Sequence, residues 1–332
     1  MRMFTALAGT ARVLGLAALL ASAPLALSRA AEGAFPDRPP RIIGGFAPGG
    51  TSDIVARLVA EAVAPAFGQR PVVENRTGAN GAIAAEAVAR AAPDGHTVLQ
   101  CATGLLTITP QLPGAQMPLD PAQELVPIVN VAHSTQVMVV AAQSPYQDVA
   151  GFLAAARRQP GRLSYASAGI GSVSHLSGAR LAQQAGLGLV HVPYRGAALG
   201  VVDVVAGRAD TIITNLGDVV AQIQGGGLRL LAFADGIGSP LFPEAPQISA
   251  TVPGYAVSGW FGLCGPRGMP AGLVARWAAA VRQGMDTPEM RRRLQELGLT
   301  PRLEEPARFA ETIAQDHRDW GAVIRAGGIR VE

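Results

Sequence analysis

The chain has 332 residues, of which 49% are apolar and only 15% are charged. This length and balance predict a globular protein of one large domain or two ordinary ones and exclude an intrinsically disordered chain. All 27 basic residues are arginine, which excludes a lysine Schiff base and the lysine of a phosphate-binding P-loop.

The first 30 residues have the order of a secretory signal peptide. Arg2 and Arg12 precede an apolar run, 13–27, and small residues including Ala30 follow it. The run is shorter than the roughly 20 residues of a membrane span, although an uncleaved anchor stays the alternative. We predict cleavage that leaves the protein exported. Cleavage of the leader would remove the arginines that give the formal charge of +3. The rest of the chain has no basic stripe suited to binding nucleic acid.

The next segment alternates short β-rich runs with helical patterns. This β-α-β-α-β order predicts a parallel sheet with right-handed crossovers. The predicted strands are 41–46, 71–75 and 97–101, and the predicted helices are 51–64 and 81–92.

A second α/β series follows two strands that have no helix between them, and three helices end the chain. We expect these last helices to pack on the first lobe. The pattern predicts two α/β lobes joined by two chain crossings, with a cleft between them. The first lobe is predicted at 31–135 plus 257–332 and the second at 136–256. The predicted elements are strands 128–131, 136–142, 163–167, 189–192, 211–214, 228–234 and 260–263 and helices 149–158, 174–184, 197–206 and 218–224.

Two glycine-rich loops each lie between a strand and a helix, in matching positions of the two lobes. Glycine lets a backbone approach a ligand closely, hydroxyl residues are expected to cap the helix, and the first N–H groups of a helix attract anions. Two such ends facing each other would suit a dicarboxylate, or one carboxylate with a polar tail. The candidate ligand-binding residues are Phe46, Ala47, Gly50, Thr51 and Ser52 in the first loop and Ser167, Gly169, Gly171 and Ser172 in the second.

The alternative for either loop alone is a tight turn with a good helix cap. The second loop also has part of a dinucleotide fingerprint. Its final glycine is missing, and Val190 and His191 stand where an acidic residue is expected. We therefore predict no cofactor.

Three further polar residues follow predicted strands and are candidates for the same pocket. They are Thr103, Arg195 and Asn215. Ligands bind at the carboxyl ends of the strands in sheets of this type, which is where these residues lie. Arg195 is the best candidate for a direct carboxylate partner, with an ordinary surface arginine as the alternative.

No hydrolase or metal-binding motif is present, and we predict that the protein is not an enzyme. Ser172, Ser174 and His175 are close in sequence, but no acid lies nearby to orient the histidine. A helix-start histidine that hydrogen-bonds the loop is the better interpretation, and a serine hydrolase is the alternative. Cys101 and Cys264 either pair or stay as two buried thiols.

Taken together, six blocks of the sequence resemble the substrate-binding proteins of tripartite tricarboxylate transporters, the Bug family. The resemblance covers nearly the whole chain after the leader. The blocks are RIIGGFAPGGTSDIVARLVAEAV, PVVENRTGANGAIAAEAVARAAPDGHTVL, YASAGIGSVSHLSGARL, HVPYRGAALGVVDVVAGRAD, TNLGDV and SGWFGLCGPRGMP.

The resemblance implies a periplasmic type II binding-protein fold without cofactor or catalysis. It implies a carboxylate held by the two loops and Asn215, and delivery to integral membrane transporter subunits. We expect a monomer, with a ligand sensor for a membrane signalling partner as the alternative function. The family often has Asp where this chain has Thr214. The departure favours a plain carboxylic acid over an amino acid.

Overall fold

The computed structural model describes residues 35–331, which form two mixed sheets flanked by helices. The first sheet has six strands in the order β11-β4-β10-β3-β1-β2, and the second has five in the order β7-β6-β8-β5-β9. The strands are β1 Arg41–Gly44, β2 Val72–Asn75, β3 Thr97–Ala102, β4 Leu125–Ser134, β5 Gln136–Ala141, β6 Ser164–Ser167, β7 Val190–Pro193, β8 Thr211–Asn215, β9 Leu228–Phe233, β10 Gly259–Pro266 and β11 Leu299–Glu304.

Parallel pairing forms one half of each sheet. Strand β1 pairs in parallel with β2 and β3, and β6 pairs in parallel with β7 and β8. The parallel sheet predicted from the first β-α-β-α-β series is therefore confirmed. The other strands, including β10 beside β3 and β5 beside β8, pair antiparallel. The chain passes from the first sheet to the second at Thr135 and returns between Phe233 and Gly259.

The helices cover the faces of both sheets. Each parallel strand feeds a helix that starts at the carboxyl end of that strand, so several helix starts meet at one edge. None of the helices between residues 35 and 331 has the length and apolar character that a membrane crossing requires. The helices are α1 Thr51–Phe67, α2 Ala82–Ala89, α3 Pro121–Glu124, α4 Val149–Arg158, α5 Val173–Ala185, α6 Ala197–Val205, α7 Leu216–Gln224, α8 Ala271–Met285, α9 Pro288–Glu296 and α10 Pro306–Gly327.

Strand β11 is missing from the sequence prediction, which placed only helices after β10. It pairs antiparallel with β4 at the edge of the first sheet, with a register shift between Pro301 and Glu304. Leu303 there has a positive φ of 48°. An edge strand with a proline and a bulge has no regular alternation of apolar residues, so its sequence signal is weak.

The last helix, α10, contacts both sheets. Phe309 near its start packs in the apolar cluster beneath the first sheet. Trp320 and Ile324 near its end belong to the same apolar cluster as Met138 of β5 in the second sheet and Phe152 of α4. The prediction that all three final helices pack on the first lobe is therefore wrong for the end of α10. A helix of 22 residues is about 33 Å long, so its two ends can pack in different apolar clusters.

Cys101 and Cys264 form a disulfide, which settles the alternative left open by the sequence. The two residues lie on the adjacent antiparallel strands β3 and β10, with Cα atoms 6.1 Å apart. They are separated by 163 positions in the sequence. The bond therefore ties the chain segment before the second sheet to the segment that returns from it.

Candidate functional site

A cavity of about 60 Å³ lies where the carboxyl ends of β1, β3, β6 and β8 meet the helices that follow them. At 10–15 Å³ for each water position, it holds roughly four to six water-sized groups. Eight of the twelve candidate residues from the sequence line it. These eight are Phe46, Ala47, Gly50, Thr51, Ser52, Thr103, Ser172 and Asn215.

The first loop brings the start of helix α1 to the cavity, but no hydroxyl caps that helix. Its N-cap is Gly50, which has no side chain to accept a hydrogen bond. The prediction of a hydroxyl cap is therefore wrong here. Thr51 and Ser52 lie one and two positions inside the helix, and the Ser52 hydroxyl donates to Oε1 of buried Gln100.

The carboxylate of Asp218 takes the place of the missing cap. Its Oδ1 accepts hydrogen bonds from the backbone N–H of Thr51 at 2.7 Å and from the Thr51 hydroxyl at 2.8 Å. Its Oδ2 accepts from the Thr214 hydroxyl at 2.6 Å and from Nδ2 of Asn215 at 2.8 Å. An anion at a helix N-terminus is stabilised by the helix dipole. The protein's own carboxylate therefore occupies part of the anion site that the sequence assigned to a ligand.

This carboxylate also joins parts of the chain that belong to different sheets. Thr51 follows β1 of the first sheet, whereas Asp218 lies in α7, which follows β8 of the second. Asp218 was not among the candidates from the sequence. The signal that could have found it is an acidic residue three positions after Asn215, in the first turn of a helix.

The second loop brings the start of helix α5 to the same cavity. Ser172 is the N-cap and accepts a hydrogen bond from the backbone N–H of His175 at 3.1 Å, as the capping prediction requires. Ser172, Val173 and Ser174 all line the cavity. The first N–H groups of a helix have no acceptor within the helix. Those at the start of α5 therefore form an anion-attracting wall.

The candidates Ser167, Gly169 and Gly171 belong to this second loop but do not line the cavity. The N–H of Gly169 donates to the Ser167 hydroxyl at 3.2 Å, and the N–H of Gly171 donates to Nδ1 of His175 at 3.2 Å. Both backbone donors therefore hold the shape of the loop.

His175 is confirmed as a helix-start histidine that hydrogen-bonds the loop. Its ring stacks on that of His191, with centroids 4.1 Å apart. Burial, with a smaller contribution from His191, lowers the pKa of His175 to about 3, and burial lowers the pKa of His191 to about 4. His175 is therefore neutral at ordinary pH, with Nδ1 available to accept from Gly171.

Asn215 lines the cavity, but most of its amide is used within the protein. Its Oδ1 accepts from the Ser134 hydroxyl at 2.6 Å and from Nε2 of Gln136 at 2.8 Å, while its Nδ2 donates to Asp218. Ser134 and Gln136 flank Thr135, where the chain crosses from the first sheet to the second. Asn215 therefore ties the cavity to this crossing.

Thr103 follows strand β3, is buried, and lines the cavity. Its hydroxyl oxygen accepts from the backbone N–H of Trp260 at 2.8 Å. That bond leaves the hydroxyl proton without an acceptor among residues 35–331, so Thr103 keeps an unused donor beside the cavity. Trp260 lines the same wall and anchors its own ring by donating to Asp316 at 2.6 Å.

Arg195 is exposed and lies outside this cavity. It lines a neighbouring outer pocket of about 220 Å³. The two cavities share Phe46, Asn80 and Ala168, so they are adjacent. Arg195 is thus placed near the cavity but not among the residues that line it.

Several lining residues were not found from the sequence. They are the polar residues Asn80, Gln136, Ser174, Thr214 and Asp218, together with Ala102, Gly104, Ala168, Val173, Ala197, Gly259, Trp260 and Phe261. Eight of these thirteen lie within three positions of a candidate residue, whereas no local pattern connects the other five to the two loops. Those five are Asn80, Gln136, Gly259, Trp260 and Phe261. Within 35–331, no group of three or more His, Cys, Asp or Glu side chains could hold a metal ion.

Comparison with known proteins gives one family. The model described as "Tripartite tricarboxylate transporter family receptor" matches residues 55–329. A curated relative from Pseudomonas sp. (strain P51), the UPF0065 protein in the tcbD-tcbE intergenic region, is 36% identical over 293 residues. That alignment covers 88% of this chain and 87% of the relative.

Solved structures with the same fold include three informative neighbours. Periplasmic binding protein BugD has a TM-score of 0.85 and 28% identity, covering 90% of this chain and 100% of BugD. R. palustris Rpa4515 with adipate has a TM-score of 0.86 and 30% identity, covering 89% and 99%. MatC from Rhodopseudomonas palustris with bound malate has a TM-score of 0.83 and 30% identity, covering 87% and 100%. The resemblance and the periplasmic binding-protein fold predicted from the sequence are confirmed.

Proposed function

Because the chain belongs to the receptor family of tripartite tricarboxylate transporters, we propose that it captures a small carboxylate outside the cytoplasm and delivers it to a membrane transporter. The residues that we assign to the ligand are the eight candidates that line the cavity, with Ser174 and the N–H groups at the start of α5 in addition. Arg195 remains a candidate for the outer end of a longer ligand. The protein would act by binding alone.

One observation carries this proposal, which is the start of helix α5 at the cavity wall. No arginine is among the residues that line the cavity, and the chain contains no lysine. A carboxylate there would be held by backbone N–H groups, hydroxyls and the helix dipole. Such a site neutralises an anion without a fixed positive side chain, which suits a ligand that must later be released.

Two further findings support a small acid. The solved neighbours hold adipate in one case and malate in the other, and both ligands are carboxylates. A cavity of about 60 Å³ has room for an acid of a few carbons. We further propose that the lobes 31–135 plus 257–332 and 136–256 close on the ligand about the crossings near Thr135 and Val257. The predicted leader, 1–30, lies outside the described residues, and mass spectrometry of the exported protein would locate its cleavage.

The proposal is tested by titrating the protein with mono-, di- and tricarboxylates and with acidic amino acids, using calorimetry and thermal unfolding. A ligand with a Kd of about 1 µM, present at about 1 mM, adds roughly 4 kcal/mol to the free energy of unfolding. A selective shift for one acid is expected. No binding by any acid would contradict the proposal.

A matched pair of variants tests the helix start itself. Val173→Pro removes the first N–H of α5, where proline fits because the preceding Ser172 is already extended. Val149→Pro makes the same change at the first position of α4, away from the cavity, also after an extended residue. We expect about 10-fold weaker acid binding in Val173→Pro alone. Equal affinities in the two variants would contradict a role for the start of α5.

A further inference from the structure

Asn80 carries a hydrogen-bond acceptor that no described group satisfies. The residue is 6% exposed and lines both the inner cavity and the outer pocket. Its Oδ1 is buried and has no partner among residues 35–331. A buried amide oxygen without a donor is costly, and such atoms are rare in folded proteins.

The orientation of this amide follows from its neighbours. The Thr109 hydroxyl donates to the backbone oxygen of Gly104 at 3.0 Å, so Thr109 accepts from Asn80. Nδ2 of Asn80 lies 2.8 Å from that hydroxyl and is the donor. Exchanging the two ends of the amide would place two acceptors against each other. Oδ1 is thereby held on the side away from Thr109.

The backbone of Asn80 is also unusual, with φ 51° and ψ 36°. This left-handed conformation is adopted readily by glycine and tolerated by asparagine. It holds the side chain in a short segment between β2 and α2, beside Gly104. An added Cβ at Gly104 would lie 3.0 Å from Nδ2 of Asn80, so the two residues are in close contact.

Thr103, the neighbour of Gly104, supplies the complementary group. Its hydroxyl oxygen accepts from Trp260, and its proton has no acceptor within the described part of the chain. An unused acceptor on Asn80 and an unused donor on Thr103 therefore belong to residues that both adjoin Gly104 and line the same cavity. An alcohol group of a ligand can donate one hydrogen bond and accept another at such a position.

We propose that Asn80 selects a hydroxycarboxylate, whose hydroxyl donates to Oδ1 of Asn80 and accepts from Thr103. The inference rests on the proposed function, since the carboxylate of the same ligand would lie at the start of α5. An ammonium group would fit less well than a hydroxyl beside Asn80 and Thr103. The acid that lines the cavity, Asp218, already accepts four hydrogen bonds from Thr51, Thr214 and Asn215, so it leaves little for a cationic ligand.

The test uses pairs of acids that differ by one hydroxyl. The full chain would be titrated by calorimetry with malate and succinate, lactate and propionate, and 3-hydroxybutyrate and butyrate, with aspartate as the amine counterpart. We expect at least one hydroxy acid to bind about 10-fold or more tightly than its deoxy partner, because the deoxy acid leaves Oδ1 unpaired. Tighter binding of aspartate than of malate would overturn the proposal.

Asn80→Gly removes the amide and suits the left-handed backbone, so the variant is expected to fold. The ratio of hydroxy-acid to deoxy-acid affinity should fall to about 1, because the variant has no Oδ1 for one acid to satisfy and the other to leave unpaired. Leu303→Gly is the matched control, since Leu303 also has a positive φ, of 48°, but lies on β11 away from the cavity. It should leave the ratio unchanged.

The outcomes separate this inference from the proposed function. If deoxy acids bind as tightly as hydroxy acids, or if Asn80→Gly keeps the ratio, the role of Asn80 is wrong and carboxylate capture stands. If no acid in the set binds, the role of Asn80 is wrong, and carboxylate capture fails as well only if the wider panel of mono-, di- and tricarboxylates also gives no binding. Should Asn80→Gly not fold, Thr109→Val gives the same test, because it removes the acceptor that orients the amide. It should lower the ratio, and an unchanged ratio would count against the proposal.

Discussion

At the scale of single residues, one carboxylate organises the cavity. Asp218 accepts four hydrogen bonds, two from Thr51 and one each from Thr214 and Asn215. Charge-assisted hydrogen bonds are stronger than neutral ones, and these link segments that follow strands of different sheets. A single acidic residue thus ties the first loop, at Thr51, to the end of strand β8.

Asp218→Asn should lower the free energy of unfolding by about 1.5–3 kcal/mol, because an amide cannot accept four hydrogen bonds and carries no charge for the α1 dipole. Urea unfolding measures the change. Asp286→Asn is the control, since Asp286 pairs with Arg291 on an exposed surface and should contribute less than about 1 kcal/mol. Equal losses in both variants would contradict a special role for Asp218.

The buried histidine pair predicts a pH dependence of stability. The pKa of His175 is depressed to about 3 in the folded state, against about 6.5 when unfolded. A depressed histidine contributes its full stability above pH 6.5, and the contribution is lost as the pH falls toward 3 because the unfolded chain binds the proton first. The free energy of unfolding should fall by roughly 1.4 kcal/mol per pH unit for each such histidine in that window.

Urea unfolding of the native protein and of His175→Gln, from pH 7 to pH 4, measures this dependence. His175→Gln should show a shallower fall in stability, since glutamine retains an acceptor for Gly171 but does not titrate. His317→Gln, at an exposed histidine of α10, should behave as the native protein does. If the free energy of unfolding of His175→Gln falls with pH as steeply as that of the native protein, the histidine pair does not control the pH dependence of stability.

At the scale of elements, the cavity depends on a close approach between two loops. Gly104, which follows β3, faces Gly171 and Ser172 of the loop before α5. A Cβ at Gly104 would lie 2.9 Å from the backbone oxygen of Gly171 and 3.1 Å from the Cα of Ser172. Backbone atoms of a fixed loop cannot move aside cheaply. Glycine is therefore required for the loops to meet.

Gly104→Ala should hold the two loops apart and weaken acid binding by about 10-fold or more, with the far-ultraviolet circular dichroism unchanged. Calorimetry measures the affinity. Gly272→Ala, in the first turn of α8, is the matched control because an added Cβ there meets nothing within 4 Å. Native affinity in Gly104→Ala would mean that the ligand binds without this contact.

At the scale of the whole molecule, one covalent bond secures the first sheet. The Cys101–Cys264 disulfide spans 163 positions and encloses the entire second sheet in its loop. A cross-link between distant positions stabilises chiefly by restricting the unfolded chain, and the effect grows with loop length. The bond lies on β3 and β10, whose ends reach Thr103 and Trp260 in the cavity.

Replacing both cysteines, Cys101→Ser with Cys264→Ser, should lower the free energy of unfolding by about 3–5 kcal/mol. Adding a reductant to the native protein should give a loss of similar size and should leave the double variant unaffected. Thermal and urea unfolding measure both effects. Full stability of the double variant would show that packing of the two strands suffices without the bond.

The sequence alone determined the local elements and the class of protein. Hydrophobic periodicity located β1, α1 and α4, because the spacing of apolar residues along the chain shows which face of each element is buried. Six blocks together indicated the family. Glycine and hydroxyl residues after two strands also indicated which loops would reach the cavity, since helix starts attract anions whatever surrounds them.

Only the tertiary structure decided how the polar groups are paired. Asp218 lies 167 positions from Thr51, and Asn80 lies 29 from Thr109. No local pattern shows that one carboxylate fills the start of α1 or that one amide oxygen is left unsatisfied. A hydrogen bond depends on distance and direction between two atoms, and for residues far apart in the chain these are set only when the sheets and helices pack.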